Sequence, residues 1–168
     1  MDNESILEFD KFGFGTKFWR NKEGELHRLD GPAVEYSDGS KEWWQNGKLH
    51  RLDGPAKEWS SGTKQWYKNG ERHRLDGPSI EYINGHKEWH QNGMLHRSNG
   101  PAAEYGDTIE YWYNGVLHRI DGPAIINQDG SKAWFKNGRE FKNKDTFFRS
   151  LNKKEKELAL FSEDFLNG

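Results

Sequence analysis

The chain has 168 residues, a formal net charge of −2, an apolar fraction of 32% and a charged fraction of 31%, with a mean hydropathy of −1.14. Such polarity would signal disorder in a chain poor in aromatics, but 8 Trp, 10 Phe and 6 Tyr fit a thin β architecture whose buried area comes from rings. The near-neutral charge gives no general attraction to nucleic acid or anionic membrane, and the lack of cysteine excludes disulfides, thiolate chemistry and Cys-ligated zinc.

In chain order, the acidic start "MDNESILEFDKF" lacks an uninterrupted apolar core and does not read as a signal peptide. No later run reaches the roughly 20 apolar residues of a membrane span, so a cytoplasmic protein is expected. Residues 1–25 read as an N-terminal cap and a degenerate first repeat, with Trp19 at the repeat's Trp position. Residues 26–142 are the repeats proper. "LHRLDGPA" opens at Leu26 and returns unchanged at Leu49, with variants from Arg72, Leu95 and Leu117. The motif histidines fall at His27, His50, His73, His96 and His118, a period of 23 that drops to 22 once. A fixed period signals a repeat array. The one-residue loss lies in "AAEYGDTIEYW", at a turn.

Each repeat carries two hairpin signals: one of the Asp38-Gly39, Ser61-Gly62, Asn84-Gly85 and Asp129-Gly130 type, one of the Asn46-Gly47 type. Two-residue primed turns are expected at both, because such pairs accept positive φ. That register predicts two rows across each three-stranded unit. One reads Val34–Trp43–His50, recurring through Ile80–Trp89–His96 and ending as Ile125–Trp134–Phe141. The opposite face reads Glu35–Glu42–Arg51, Glu58–Gln65–Arg74 and Glu81–Glu88–Arg97. Asp30, Asp53, Asp76 and Asp121 are expected to bond their own turn backbone, and the glycine before each proline to permit the turn. Residues 143–168 read as a C-terminal helical cap, with Asp145 and Asn152 as N-caps and Leu151, Leu158, Phe161 and Phe165 on one face. The alternative for that segment is a partner-binding helix.

The unit "WWQNGKLHRLDGPAKEWSSGTKQW" from Trp43 resembles a MORN repeat: aromatic strand, Asn-Gly turn, basic residue, His, Gly turn and a second hairpin, again with period 23. The resemblance covers about residues 17–141 and matches the Asn-Gly turns, the motif histidines and Gly31, Gly54, Gly77, Gly100 and Gly122. It departs where the family has His-Gly, because this chain has His-Arg followed by an acid-Gly-Pro element. The variant looks like repeats of bacteriophage and large-virus proteins and like MORN-type antitoxins of bacteria. The resemblance implies an all-β, single-layer antiparallel β-hairpin repeat array, acting as a non-catalytic protein-binding scaffold. Its implied partner is a bacterial host protein, met in the host cytoplasm, which the chain would inhibit as a counter-defence factor or antitoxin. Lipid binding is claimed for some family members.

The residues point the same way. Equivalent histidines one repeat apart lie two or three strand spacings, roughly 10–14 Å, from one another, too far to share a zinc ion. General acid–base catalysis needs a singular site with distinct pKa values, whereas here every His has near-identical neighbours. "FGFG" at Phe12–Gly15 does not fit a dinucleotide fingerprint, and there is no nucleophile elbow. No enzyme, metal or cofactor is expected. The positions that break the repeat are the candidate binding residues: Arg72 beside Tyr67, His90 before "QNG", and His86 past its turn. Arg51, Arg74 and Arg97 of the charged face, with Trp44 and Trp112, complete the set. An alternative is a sponge for a nucleotide or another anionic small ligand, held by Arg, Lys and aromatic rings, with Lys41, Lys64 and Lys87 beside Tyr36, Trp59 and Tyr82 as cation–π partners.

Overall fold

Two kinds of turn build the array, and only one is of the expected type. In the computed structural model, which describes residues 6–9 and 15–166, Asn46, Asn69, Asn92, Asn114 and Asn137 all have φ between 47° and 55°. Each precedes a glycine with positive φ, the type I′ pattern expected there. At Asp38-Gly39 only the glycine is left-handed, with φ 89°. The Tyr36 N–H donates to Ser40 O at 2.9 Å, which closes a three-residue loop. Asp38 Oδ1 accepts the Ser40 N–H at 2.8 Å and stabilises that form. Trp59 with Thr63 and Asn127 with Ser131 close the same loop, with Gly62 and Gly130 left-handed. A type I turn followed by a left-handed glycine satisfies Asp-Gly as well as a primed turn does. At "YGDT" the missing residue leaves a two-residue loop: Tyr105 N–H donates to Thr108 O, and Gly106 has φ 74°. The deletion therefore shortens a turn and spares the strands.

The longer loop corrects both predicted rows by one residue. Val34 lies opposite Glu42, not Trp43, and Glu35 lies opposite Lys41, not Glu42. Tyr36 faces Ser40 rather than Lys41. The second correction is larger. Trp43 donates its N–H to Ala56 O at 2.8 Å, while its carbonyl accepts the His50 N–H at 3.0 Å. Trp19, Trp66, Trp89 and Tyr111 make the same pair of bonds. One residue thus passes the chain from one sheet to another, so the predicted three-stranded unit is split and Arg51 does not stand across from Glu42.

The structure falls into two units, residues 1–84 and 85–168. In the first, strands Ile6–Phe9, Lys17–Arg20, Val34–Glu35, Lys41–Glu42, Lys57–Glu58, Lys64–Gln65 and Ile80–Glu81 follow one another as antiparallel neighbours. One face carries the row Lys17–Glu35–Lys41–Glu58–Lys64–Glu81, in which opposite charges alternate. Opposite charges directly across a ladder stabilise it. Side hairpins Trp44–Gln45/Lys48–Leu49 and Tyr67–Lys68/Glu71–Arg72 stand apart from this sheet. Gly70 N–H ties one hairpin to the other through Leu49 O. The core is thin: Ala33, Val34, Leu49, Ala56, Ser79 and Ile80 are buried. Of residues 1–25, expected as an N-terminal cap and degenerate first repeat, residues 1–5 and 10–14, with Phe12–Phe14 of "FGFG", lie outside the described residues.

The second unit holds strands Lys87–Glu88, Ala103–Glu104, Thr108–Glu110, Ile125–Asn127, Lys132–Lys136 and Arg139–Phe141, with side hairpins at His90–Leu95 and Trp112–Leu117. Three helices end the chain: α1 Lys144–Ser150, α2 Lys153–Leu160 and α3 Glu163–Leu166. Asn152 caps α2 as expected, but Asn143, not Asp145, caps α1. Phe147, Leu151, Ala159 and Phe165 pack on Trp134, with Ile120, Phe141 and Phe148 at the margin. Leu158 and Phe161 are exposed, contrary to the single predicted face, because breaks at Leu151 and Phe161 make three short helices with three faces.

Candidate functional site

The motif "HRxDGPA" is a set of internal fastenings. In each copy the arginine lies flat on the pivot ring: Arg28 on Trp19, Arg51 on Trp43, Arg74 on Trp66, Arg97 on Trp89 and Arg119 on Tyr111, at 3.8–4.2 Å from the centroid. Its Nε donates to the aspartate two residues on, at 2.9 Å for Arg51–Asp53 and Arg74–Asp76 and 2.7 Å for Arg119–Asp121. Its Nη1 donates to the proline carbonyl four residues on, at 3.1 Å in Arg51, Arg74 and Arg97. Nη1 also reaches the next strand's acid: Glu58, Glu81 and Glu104. The aspartates therefore hold the arginine more than their own turn. That guanidinium holds the carboxyls of Asp30, Asp53 and Asp76 below the usual carboxylate range by hydrogen bonding first and by charge.

The glycine before each proline has a reason the turn does not supply. These five glycines do not have positive φ; a Cβ on Gly54 would stand 2.9 Å from Arg51 Cζ, and one on Gly122 2.7 Å from Arg119 Cζ. The guanidinium is sandwiched between a ring and a bare Cα. The motif histidine faces the next repeat: Nδ1 of His27, His96 and His118 accepts the N–H of Asn46, Asn114 and Asn137 at 3.0–3.1 Å. That bond needs an unprotonated Nδ1. At His50, Asn69 Oδ1 also lies 2.8 Å from Nδ1. Burial first, then nearby Lys136, lowers the His118 pKa from 6.5.

The other candidate residues are absorbed in the same way. Trp44 Nε1 donates to Glu42 at 2.7 Å and Trp112 Nε1 to Glu110 at 2.8 Å. Tyr67 Oη donates to Gln65 at 3.0 Å. His90 occupies the same rung, buried, with Nε2 3.6 Å from Glu88 Oε2. Arg72 lies opposite Tyr67 and its Nε donates to Tyr67 Oη at 3.4 Å. His86 meets Tyr105 edge-on, centroids 5.9 Å apart. Arg72 and Tyr67 meet each other; Trp44, Tyr67, His90 and Trp112 each serve their own repeat. Among the described residues no three His, Asp or Glu side chains gather at one metal-binding point, and no helix is long and apolar enough to cross a membrane.

What the motif leaves outward is its variable residue. Leu29, Leu52 and Leu75 are 51%, 79% and 75% exposed, one per repeat, at the position after the arginine. They rim open grooves between consecutive loops in the first unit. One of about 360 Å³ is lined by Leu29, Trp43, His50 and Leu52; another of about 500 Å³ by Leu52, Trp66, His73 and Leu75. These leucines lie outside the expected binding set, although apolar residues recurring inside an otherwise polar loop are visible in the sequence. In the second unit the position is Ser98 in the fourth copy and Ile120 in the fifth, and the helices cover Ile120. No known protein family and no curated protein sequence matches the chain.

Proposed function

We propose that the chain is a non-catalytic, protein-binding repeat scaffold, which engages its partner through the groove side of its loops. One observation carries this reading: the motif's arginine Nε and Nη1 and its aspartate carboxylates bond within the chain, while Leu29, Leu52 and Leu75 stay exposed in register. Apolar side chains recurring on one side of a repeat protein are what an extended partner surface buries. The resemblance of the repeats to those of phage proteins and MORN-type antitoxins supports a bacterial host protein as the partner, inhibited as in counter-defence or by an antitoxin. A small anion held by charge alone draws less support, because Asp30, Asp53 and Asp76 stand beside the arginines in the same grooves and such a ligand would leave the rimming leucines uncovered.

The test is affinity capture from bacterial lysate with the native chain and a Leu29→Ser/Leu52→Ser/Leu75→Ser variant, followed by calorimetry with the purified partner. Retention by the native chain and its loss in the variant are expected. A nucleotide or sugar that raises the melting temperature, with no protein retained, would establish the small-ligand reading instead.

A further inference from the structure

Resting on the protein-binding reading, we propose that the grooves of the first unit receive an amphipathic, acidic α-helix of the partner. The chain displays this mode of docking on its own fifth motif. There α3 supplies Asp164, whose Oδ2 accepts from Arg119 Nη2 at 2.6 Å. Leu158 of α2 lines the adjoining groove, and Ile120 packs against the helical core. The effect of that cover is measurable: the Arg119 side chain is 8% exposed, against 21%, 22% and 21% for Arg28, Arg51 and Arg74. Asp121 is 48% exposed, against 82%, 84% and 83% for Asp30, Asp53 and Asp76.

The uncovered motifs present the same chemistry. Arg28, Arg51 and Arg74 use Nε and Nη1 as Arg119 does. Among the described residues no side chain takes their Nη2, the atom that in Arg119 binds the helix. Beside each stands a leucine in place of Ile120. The spacing also fits. Equivalent strands are two positions apart in the sheet, so successive leucines recur about every 10 Å. Seven residues of α-helix rise about 10.5 Å. A helix laid along the row therefore places apolar residues i, i+7 and i+14 near Leu29, Leu52 and Leu75, with acids beside them facing the arginines.

The probe is a synthetic Ala-based helical peptide of about three heptads, with leucines seven apart and a glutamate four residues after each, titrated against the full chain by fluorescence anisotropy. Saturable binding is expected. It should weaken roughly tenfold or more in Leu52→Ser/Leu75→Ser, and likewise when the peptide's glutamates become lysines. Both leucines are exposed, so the variant should melt with the native chain. Absence of saturable binding, equal binding of the lysine peptide, or binding that survives the double substitution would overturn the proposal. If the peptide fails but lysate capture is still lost in the double variant, the scaffold reading stands and the helix falls. Sedimentation provides the other arm: self-association abolished by Leu52→Ser/Leu75→Ser would make a second copy the occupant and overturn the proposal.

Discussion

The loop Arg51–Pro55 and the loop Arg119–Pro123 share a stacked arginine, an aspartate latch, a glycine under the guanidinium and a proline carbonyl acceptor. In the first, Leu52 stands 79% exposed; in the second, Ile120 sits beneath three helices. The fastening is complete with or without the cover, so the motif does not need the helices in order to fold. What the helices change is the fate of the outward residue and the freedom of the arginine. The difference separates a part of the repeat that builds from a part that is available to bind.

The largest expected effect removes the cover. Phe147, fully buried with its ring 5.1 Å from Trp134, should cost about 3–5 kcal/mol as Phe147→Ala, read by denaturant unfolding, and Ile120 should become as reactive to carbene labelling as the exposed Leu52 is expected to be. A loss under about 1 kcal/mol would mean that the cap is not packed in this way. Next comes the glycine. Gly122→Ala should cost about 1–3 kcal/mol, because Arg119 is pinned by Asp121 and Asp164 and cannot retreat. Gly54→Ala should cost less, since Arg51 can swing into solvent. Equal costs would erase the distinction between the loops. Asp164→Asn, at a carboxylate 55% exposed, should cost only about 0.5–1 kcal/mol. Burial works against the Arg119 charge, but bonds from Asp164 and Asp121 outweigh it and raise its pKa.

The smallest effect is acidic. Because the folded His118 pKa lies below 6.5, the neutral ring is favoured by folding. Its contribution is complete above pH 6.5 and declines as pH falls from there through the folded value. NMR titration of the imidazole should place the midpoint below 6.5, and the melting temperature should fall with it. A midpoint at or above 6.5 would contradict the burial of the ring beside Lys136.

Much of this was legible in the residues. The period located every turn, Trp19 as the first pivot, the turn that absorbs the deletion, and Asn152 as a cap. Those features are local, and local chemistry writes them. The register was less legible, because Asp-Gly serves a three-residue loop as readily as a two-residue one, and one residue reverses which side chains face each other. The pivot was illegible for a different reason. Whether Trp43 directs its N–H to the neighbouring Ala56 or along its own hairpin is decided by the next repeat. The arginines and Trp44, Tyr67, His90 and Trp112 looked like binding groups because their partners lie within the repeat. Leu52 carried no such signal, because nothing in its own unit covers it.

The most direct test sets a builder against a binder in one experiment. Arg97→Lys, outside the grooves of the first unit, removes the stack on Trp89 and the Nη1 bond to the Pro101 carbonyl; Leu52→Ser/Leu75→Ser removes only exposed surface. Melting temperature and partner retention per folded molecule are measured for both. Arg97→Lys is expected to lower the melting temperature and keep retention, while the leucine variant keeps the melting temperature and loses retention. Retention lost by Arg97→Lys in a fully folded chain, with the leucine variant binding as the native chain does, would contradict this division.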